Sequence, residues 1–267
     1  MLGGRALIVG AARDCAAGLR ATLPRLERFK QTFDEVSYII ATNDSKDETE
    51  NILEEWAKEQ HRVEIIKLDH LADNVPQRTA RLAIIRNICL SRLRGDTNLE
   101  FDYFVVVDLD GVNAKLIDEP SFSDAIASAP PDWGGVFANQ RTKYYDIWAL
   151  RHEDWCPIDC WQEVRKASGG FFRRKVRRER AVKRYVRLRQ KHISQNAFPL
   201  SVDSAFGGLG VYKVSAIKGA FYVGMTIGWQ EVCEHVAFNS MIRANCSSLY
   251  ILPSLLNDAP EDHVQDL

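Results

Sequence analysis

Two carboxylates one residue apart, Asp108 and Asp110, close the apolar run Phe104-Val105-Val106-Val107 in the stretch FVVVDLDG. On extended backbone, residues i and i+2 project to the same side, so both acids can address one hard cation through oxygen. Mg2+ or Mn2+ held this way keeps coordination positions open for phosphate oxygens, which would make the pair a bridge between protein and diphosphate. A solvated turn also accounts for Asp before Gly at a strand end. What separates the two readings is the company the pair keeps.

That company falls at two other points. Ala11 and Arg13 follow the apolar run Ala6–Gly10, and Asn43, Asp44, Ser45 and Asp47 follow the run Val36–Ala41. The second group offers amide, carboxylate and hydroxyl to a nucleoside, while Ser45 with Glu48 has the spacing of a capping box for the next helix. Arg81, Arg86 and Asn87 lie on a helical pattern upstream of the acid pair. Their guanidinium groups suit a pyrophosphate, although a solvated basic helix face would read the same.

The elements that must position these groups alternate. Apolar, β-branched runs at Ala6–Gly10, Val36–Ala41, Val63–Leu68 and Phe104–Val107 predict strands, and Ala16–Lys30, Asp47–Glu59 and Gln77–Leu93 predict helices between them. This order predicts an α/β sandwich built on a mostly parallel sheet, whose ligands sit beyond the carboxyl ends of the strands. All three polar groups follow such ends, so one crevice would collect them. Further on, Tyr144–Arg151 has strand character, Phe172–Ile193 has helical spacing, Ala205–Tyr212 reads as a glycine-rich loop entering a strand, and a last helix is expected over Gln230–Ala244.

With 267 residues, 46% hydrophobic and 27% charged, the chain is long enough for a substantial core and is read as a single domain, residues 1–112 and 113–267 forming its two halves. No apolar run approaches the roughly 20 residues of a spanning helix, and MLGGRALIVG reads as strand rather than signal peptide. The expectation is a cytoplasmic protein, at most peripheral to a membrane. Six cysteines form no paired CxxC set, so free thiols are expected. The net charge of −1 hides an asymmetry: residues 165–192 hold 13 Lys and Arg against one acid, a local +12 that leaves −13 on the remainder.

Taken in order, NDSKDET, RLAIIRN, DLDG, YYDIWALR, AFGGLGVY and CEHVAFN resemble the metal-dependent GT-A glycosyltransferases, and more closely the fungal capsule-associated α-1,3-mannosyltransferase family and its bacterial relatives. The resemblance spans about residues 5 to 245. It implies the GT-A (nucleotide-diphospho-sugar transferase) fold, a Rossmann-like, mostly parallel central sheet flanked by helices. It also implies Mn2+ or Mg2+, a nucleotide-sugar donor in the first half, and a glycan or lipid-linked saccharide acceptor in the second.

On this likeness the donor site comprises Ala11, Arg13, Asn43, Asp44, Ser45, Asp47, Arg81, Arg86, Asn87, Asp108 and Leu109. Phe206, Gly207, Gly208 and Trp148 would meet donor sugar and acceptor. Glu234, with Glu231 in reserve, would face the reacting carbon. Asp108 and Asp110, with His235 or His263, would hold the metal.

Two rival readings explain less. A sugar-1-phosphate nucleotidyltransferase shares the sheet and the metal, but GAARDC lacks the glycine-rich, basic N-terminal signature that class needs. A nucleic-acid-binding module working through residues 165–192 leaves the other motifs unused, so no specific nucleic acid is expected. The basic segment itself falls outside the resemblance. Its stripe Val182, Tyr185, Val186 and Ile193 would pack on the body with the cations outward, facing solvent, an anionic acceptor or an anionic membrane surface.

Overall fold

The computed structural model describes residues 1–95, 100–169 and 174–259. Among them, eight strands form one sheet: β1 (Arg5–Ala12), β2 (Glu35–Thr42), β3 (Val63–Lys67), β4 (Tyr103–Asp108), β5 (Trp133–Gln140), β6 (Leu200–Val202), β7 (Leu209–Lys213) and β8 (Ser248–Asn257). Their spatial order is β3-β2-β1-β4-β7-β5-β8-β6. β1 pairs in parallel with β2 and β4, β2 with β3, and β5 with β8. β7 runs antiparallel between β4 and β5, and β6 lies antiparallel on β8 at the edge. The sheet is therefore mixed but mostly parallel, as the strand–helix alternation predicts.

Strands buried on both faces read as unbroken apolar runs, and β4 shows how they divide the core. Phe104 and Val106 join one apolar cluster with Ala83, Leu90, Phe238 and Ile242. Val105, Val107 and Leu109 join the other, with Leu19, Leu23, Leu53 and Phe122. The helices α4 (Arg78–Gly95) and α8 (Glu234–Ala244) thus cover one face, and α1 (Ala16–Glu27), α2 (Thr49–Glu59) and α5 (Ser121–Ala127) the other. The short α3 (Leu71–Asn74) follows β3, and α6 (Cys160–Ala167) and α7 (Arg174–Tyr185) stand together after β5. None of the described helices is long and apolar enough to cross a membrane. All six cysteines are free.

Three expectations are corrected. Tyr144–Arg151 is not a strand but an irregular loop. Its Asp146 carboxylate takes the Ala149 N–H at 3.2 Å, closing a turn that keeps Ile147, Ala149 and Leu150 in the core. The last helix begins at Glu234 rather than Gln230, because Met225 and Glu231 bridge across a hairpin that commits the intervening backbone. The helix in the basic segment ends at Tyr185, with a 3-10 turn at Arg187–Arg189. Beyond that turn the chain bonds a loop instead: the Tyr144 N–H reaches the Lys191 carbonyl at 2.8 Å. Val186 and Ile193 do pack against the body as expected.

Phe238 fastens α8 to the sheet, stacked on Tyr222 at 4.2 Å between ring centres and edge-on to Tyr212 at 5.2 Å. Truncating a fully buried ring leaves a cavity that close packing cannot refill. Phe238→Ala is expected to lower unfolding free energy by roughly 3–5 kcal/mol in urea titrations. A change under about 1 kcal/mol would mean that α8 is not held by this contact.

Candidate functional site

The alternation along β4 decides where its acids point. Asp108 continues the Phe104–Val106 side, toward α4 and α8. Between the acids, Leu109 is 1% exposed and lies over Gly10, where a Cβ would come within 2.7 Å of Leu109 Cδ1. Its side chain anchors the turn in the core, which corrects its expected part in donor binding: only its backbone remains for that. A Cβ on Gly18 of α1 would stand 2.3 Å from the Asp110 carbonyl carbon, so the missing side chain lets the acid-bearing turn rest on the helix.

Because β7 is antiparallel to β4, its start meets the end of β4. Val107 pairs with Leu209, and the Asp108 N–H donates to the Gly208 carbonyl at 2.8 Å. Gly207 and Gly208 have φ of 65° and 84°, left-handed values that favour glycine. Three buried carboxamides lock this seam. Asn113 Nδ2 donates to the Asp108 carbonyl at 2.9 Å and to the Gly208 carbonyl at 2.8 Å. Asn257 Nδ2 donates to Asn113 Oδ1 at 2.9 Å and to the Gly207 carbonyl at 2.8 Å. Gln140 Nε2 donates to the same Gly207 carbonyl at 3.1 Å and to Asn257 Oδ1 at 3.0 Å. On the other side, the Gly207 N–H donates to Asp146 Oδ2 at 3.1 Å, and the Phe206 N–H to the Tyr144 hydroxyl at 3.2 Å.

The acids act on one another. Burial, then the charge of Asp110, pushes the Asp108 carboxyl up to about 7, with Arg86 and Arg78 opposing and Asp146 adding. Tyr145 is held well above the usual phenol range by burial and by Asp108, Asp146 and Asp110. Asp146 is thus a third carboxylate of the crevice, and the sequence reading passed it over along with Tyr145, Arg78 and the three carboxamides. Among the described residues no three His, Cys, Asp or Glu side chains gather as a closed metal cage. Two oxygen donors at a strand end still fit Mg2+ or Mn2+, which characteristically take one or two carboxylates and leave the rest to water and phosphate.

Arg86 stands in the buried stripe of α4, in sequence with Thr79, Ala83, Leu90 and Leu93. A charge in a core register needs partners, and Arg86 has them. Nη1 pairs closely with Glu234 Oε1, Nη2 lies 3.5 Å from Asp108 Oδ1, and the guanidinium sits 5.3 Å from the Phe206 ring centre. Glu234, at the first position of α8, is 4% exposed. His235 stacks on Phe206 at 3.8 Å and is kept neutral by burial and then by the Arg86 charge. Its expected place beside Asp108 and Asp110 is corrected accordingly: the imidazole is enclosed by Phe206 and Tyr222. His263 lies outside the described residues.

The remaining residues divide between rim and scaffold. Ala11 pairs with Asp108 across β1 and β4. Arg13 lies in the next turn, whose Asp14 N–H donates to Ser45 Oγ at 3.3 Å. The capping box does not form: Asp47, not Ser45, receives the Thr49 N–H at 3.0 Å, and it also takes the Ala16 N–H at 3.0 Å. The two loops thereby become one surface. Asp44 takes a hydrogen bond from the buried Asn43 amide at 3.0 Å, and this, then the Ala72 N–H at 2.8 Å and the His70 N–H at 2.7 Å, holds its carboxyl below the usual range.

Arg81 donates to the Val75 and Pro76 carbonyls at 2.8 and 2.7 Å, and burial, then neighbouring Arg13 and Arg78, lowers its basicity. Arg13 and Arg78 thus stand near enough to Arg81 to bear on its charge. Other candidates serve as fastenings. Asn87 bonds the Tyr222 backbone in both directions, donating at 2.9 Å and accepting at 2.8 Å. Glu231 caps the start of α4 through Thr79 N at 3.1 Å. Trp148 donates to Asp159 at 3.0 Å and packs edge-on against Trp161.

No family model matches the sequence, and no curated protein does. Solved structures do. The mannosyltransferase PcManGT from Pyrobaculum calidifontis, in complex with GDP-Man and Mn2+, matches with a TM-score of 0.52 at 14% identity, over 96% of this chain and 56% of that one. Residues 1–349 of S. aureus TarS match with a TM-score of 0.50 at 12% identity, over 97% of this chain and 61% of that one. The chain thus spans less than two thirds of each. At such identities the likeness speaks to architecture, and the architecture is that of GT-A glycosyltransferases.

Proposed function

We propose that this chain is a metal-dependent glycosyltransferase, moving a hexose from a nucleotide-diphosphate donor to a hydroxyl of a glycan or lipid-linked saccharide. The observation that carries the reading is the seam itself: paired carboxylates at the end of β4, bonded through backbone to two left-handed glycines, with Arg78 and Arg86 near enough to act on Asp108. The motifs resembling the capsule-associated mannosyltransferases, and the mannosyl donor in the PcManGT complex, favour mannose as the sugar.

In this reading Arg13, Arg78 and Arg81 receive the donor diphosphate, and Ser45 and Asp47 lie toward its nucleoside. Asp108 and Asp110 would hold Mn2+ or Mg2+, which when bound supplies positive charge to a departing nucleoside diphosphate. Gly207 and Gly208 hold a left-handed turn packed tightly on Ala138, Gln140 and Val112, which fixes the loop backbone beside the acids. Glu234 is buried against Arg86, so the acceptor proton passes to a donor phosphate oxygen, and Glu234 acts by fixing the guanidinium that steadies Asp108.

Asp110 is exposed and contributes little to the core, so Asp110→Ala is expected to leave the melting temperature within a few degrees while abolishing Mn2+-dependent binding of GDP or UDP in calorimetry. Nucleotide binding that survives EDTA in the parent protein would remove the metal from the proposal.

Asp108 gives a pH signature. Its proton is held more tightly in the folded state, at about 7, than at the ordinary 3.8. The associated stability is complete below 3.8 and lost as pH rises through 7. Asp108→Asn should therefore be more stable than the parent at alkaline pH in metal-free urea titrations, by on the order of 1–2 kcal/mol after allowing for solvent screening, and equal to it in acid. Equal stability at both ends would show that the crevice does not strain this carboxylate.

A further inference from the structure

The basic segment is the one strongly charged feature that sugar transfer leaves unused. Within α7, Arg174, Lys175, Arg178, Arg180, Lys183 and Arg184 are exposed, and Glu179 is the single acid. Only Ala181 is buried, and Val182 and Tyr185 are half-buried. At 3.6 residues per turn, Lys175, Arg180 and Lys183 fall on the side away from Ala181. The helix therefore sets its one buried side chain, Ala181, on the body and exposes cations around the rest of its circumference, with Glu179 and the exposed Val176 on the side opposite. An interfacial helix needs the reverse, a free apolar face to sink among acyl chains.

The arm is rooted at the site. Its end runs through Gln190, whose Nε2 donates to the Tyr145 carbonyl at 3.3 Å, and Lys191, whose carbonyl takes the Tyr144 N–H at 2.8 Å. Tyr144 and Asp146 in turn hold Phe206 and Gly207 of the glycine loop. Trp155 adds a bond from Nε1 to the Arg189 carbonyl at 2.6 Å. One loop thus joins the foot of a cationic arm to the crevice, while the crevice itself carries Asp108, Asp110 and Asp146.

That pairing of charges selects a ligand. A uniformly charged phosphate backbone would be drawn to the arm and repelled at the carboxylates. A chain with an uncharged terminal sugar and anionic groups further along satisfies both. Resting on the sugar-transfer reading, we propose that α7 is the docking arm for an acceptor glycan bearing repeated phosphate or carboxylate groups, whose terminal hydroxyl enters the crevice. Such an attraction is long-ranged and falls with salt.

The test uses the full chain and its Arg174→Ser, Lys175→Ser, Arg178→Ser, Lys183→Ser variant, with labelled hyaluronan oligosaccharides, inorganic polyphosphate and neutral dextran as probes. The parent is expected to bind the hyaluronan oligosaccharides more tightly than polyphosphate of equal charge, and dextran not at all, with affinity for both anionic probes dropping at least about tenfold between roughly 50 and 200 mM salt. The variant should bind them about tenfold more weakly and keep its Mn2+-dependent affinity for GDP or UDP. Equal binding by variant and parent would overturn the arm. So would retention on phosphatidylcholine vesicles containing phosphatidylglycerol, or on duplex DNA, where the anionic saccharides fail. Loss of nucleotide binding in the parent would sink the transferase reading alone, since the oligosaccharide titration is independent of it.

Discussion

The seam between β4 and β7 is the constraint on which the rest of the crevice depends. Two strands running in opposite directions place an end beside a start, so the acid turn and the glycine turn share a hydrogen-bonded edge. Their backbone groups are then removed from water and must be satisfied locally. Asn113, Gln140 and Asn257 do this with carboxamides, which donate and accept without adding charge. Local charge is thereby reserved for side chains able to face a ligand.

Arg86 solves a different problem. Asp108 and Glu234 approach one guanidinium from β4 and α8, and without it the buried Glu234 carboxylate would lose its close counter-charge. A guanidinium entering from α4 offsets both and rests on the Phe206 and Tyr222 rings. Helix, sheet and loop are thus coupled through one cation. Changes in the charge of Asp108 reach α8 by this route.

The first half of the fold was legible because its strands are apolar on both faces and its helices keep a clear 3.6-residue stripe; the observed boundaries of β1 to β4 lie within two residues of those expected. β8 escaped because Pro253 and polar residues interrupt its alternation, and β5 because its glycines, Gly134 and Gly135, mimic a turn while packing against Ser247 and Tyr212. Of the candidate site, the acid pair at the strand end could be read from spacing, and the glycine loop beside it from the family resemblance. Asp146 could not, since its place in the crevice comes from a loop that looked like a strand. Nor could Asn257, which reaches Asn113 from 144 residues away. Arg86 left a trace, a charge in a core register, but its partners are visible only in three dimensions.

Asn257 ends β8, the last strand among the described residues. Chains leave the ribosome amino end first, so the acid turn is made long before the residue that fixes its partner loop. Until β8 adds to the sheet, Gly207 lacks one of its amide donors and the glycine turn has no fixed position opposite the acids. A nascent or truncated chain would carry the carboxylates without the geometry that makes them selective. The acid turn and the glycine turn therefore take up their facing geometry only once β8 has joined the sheet.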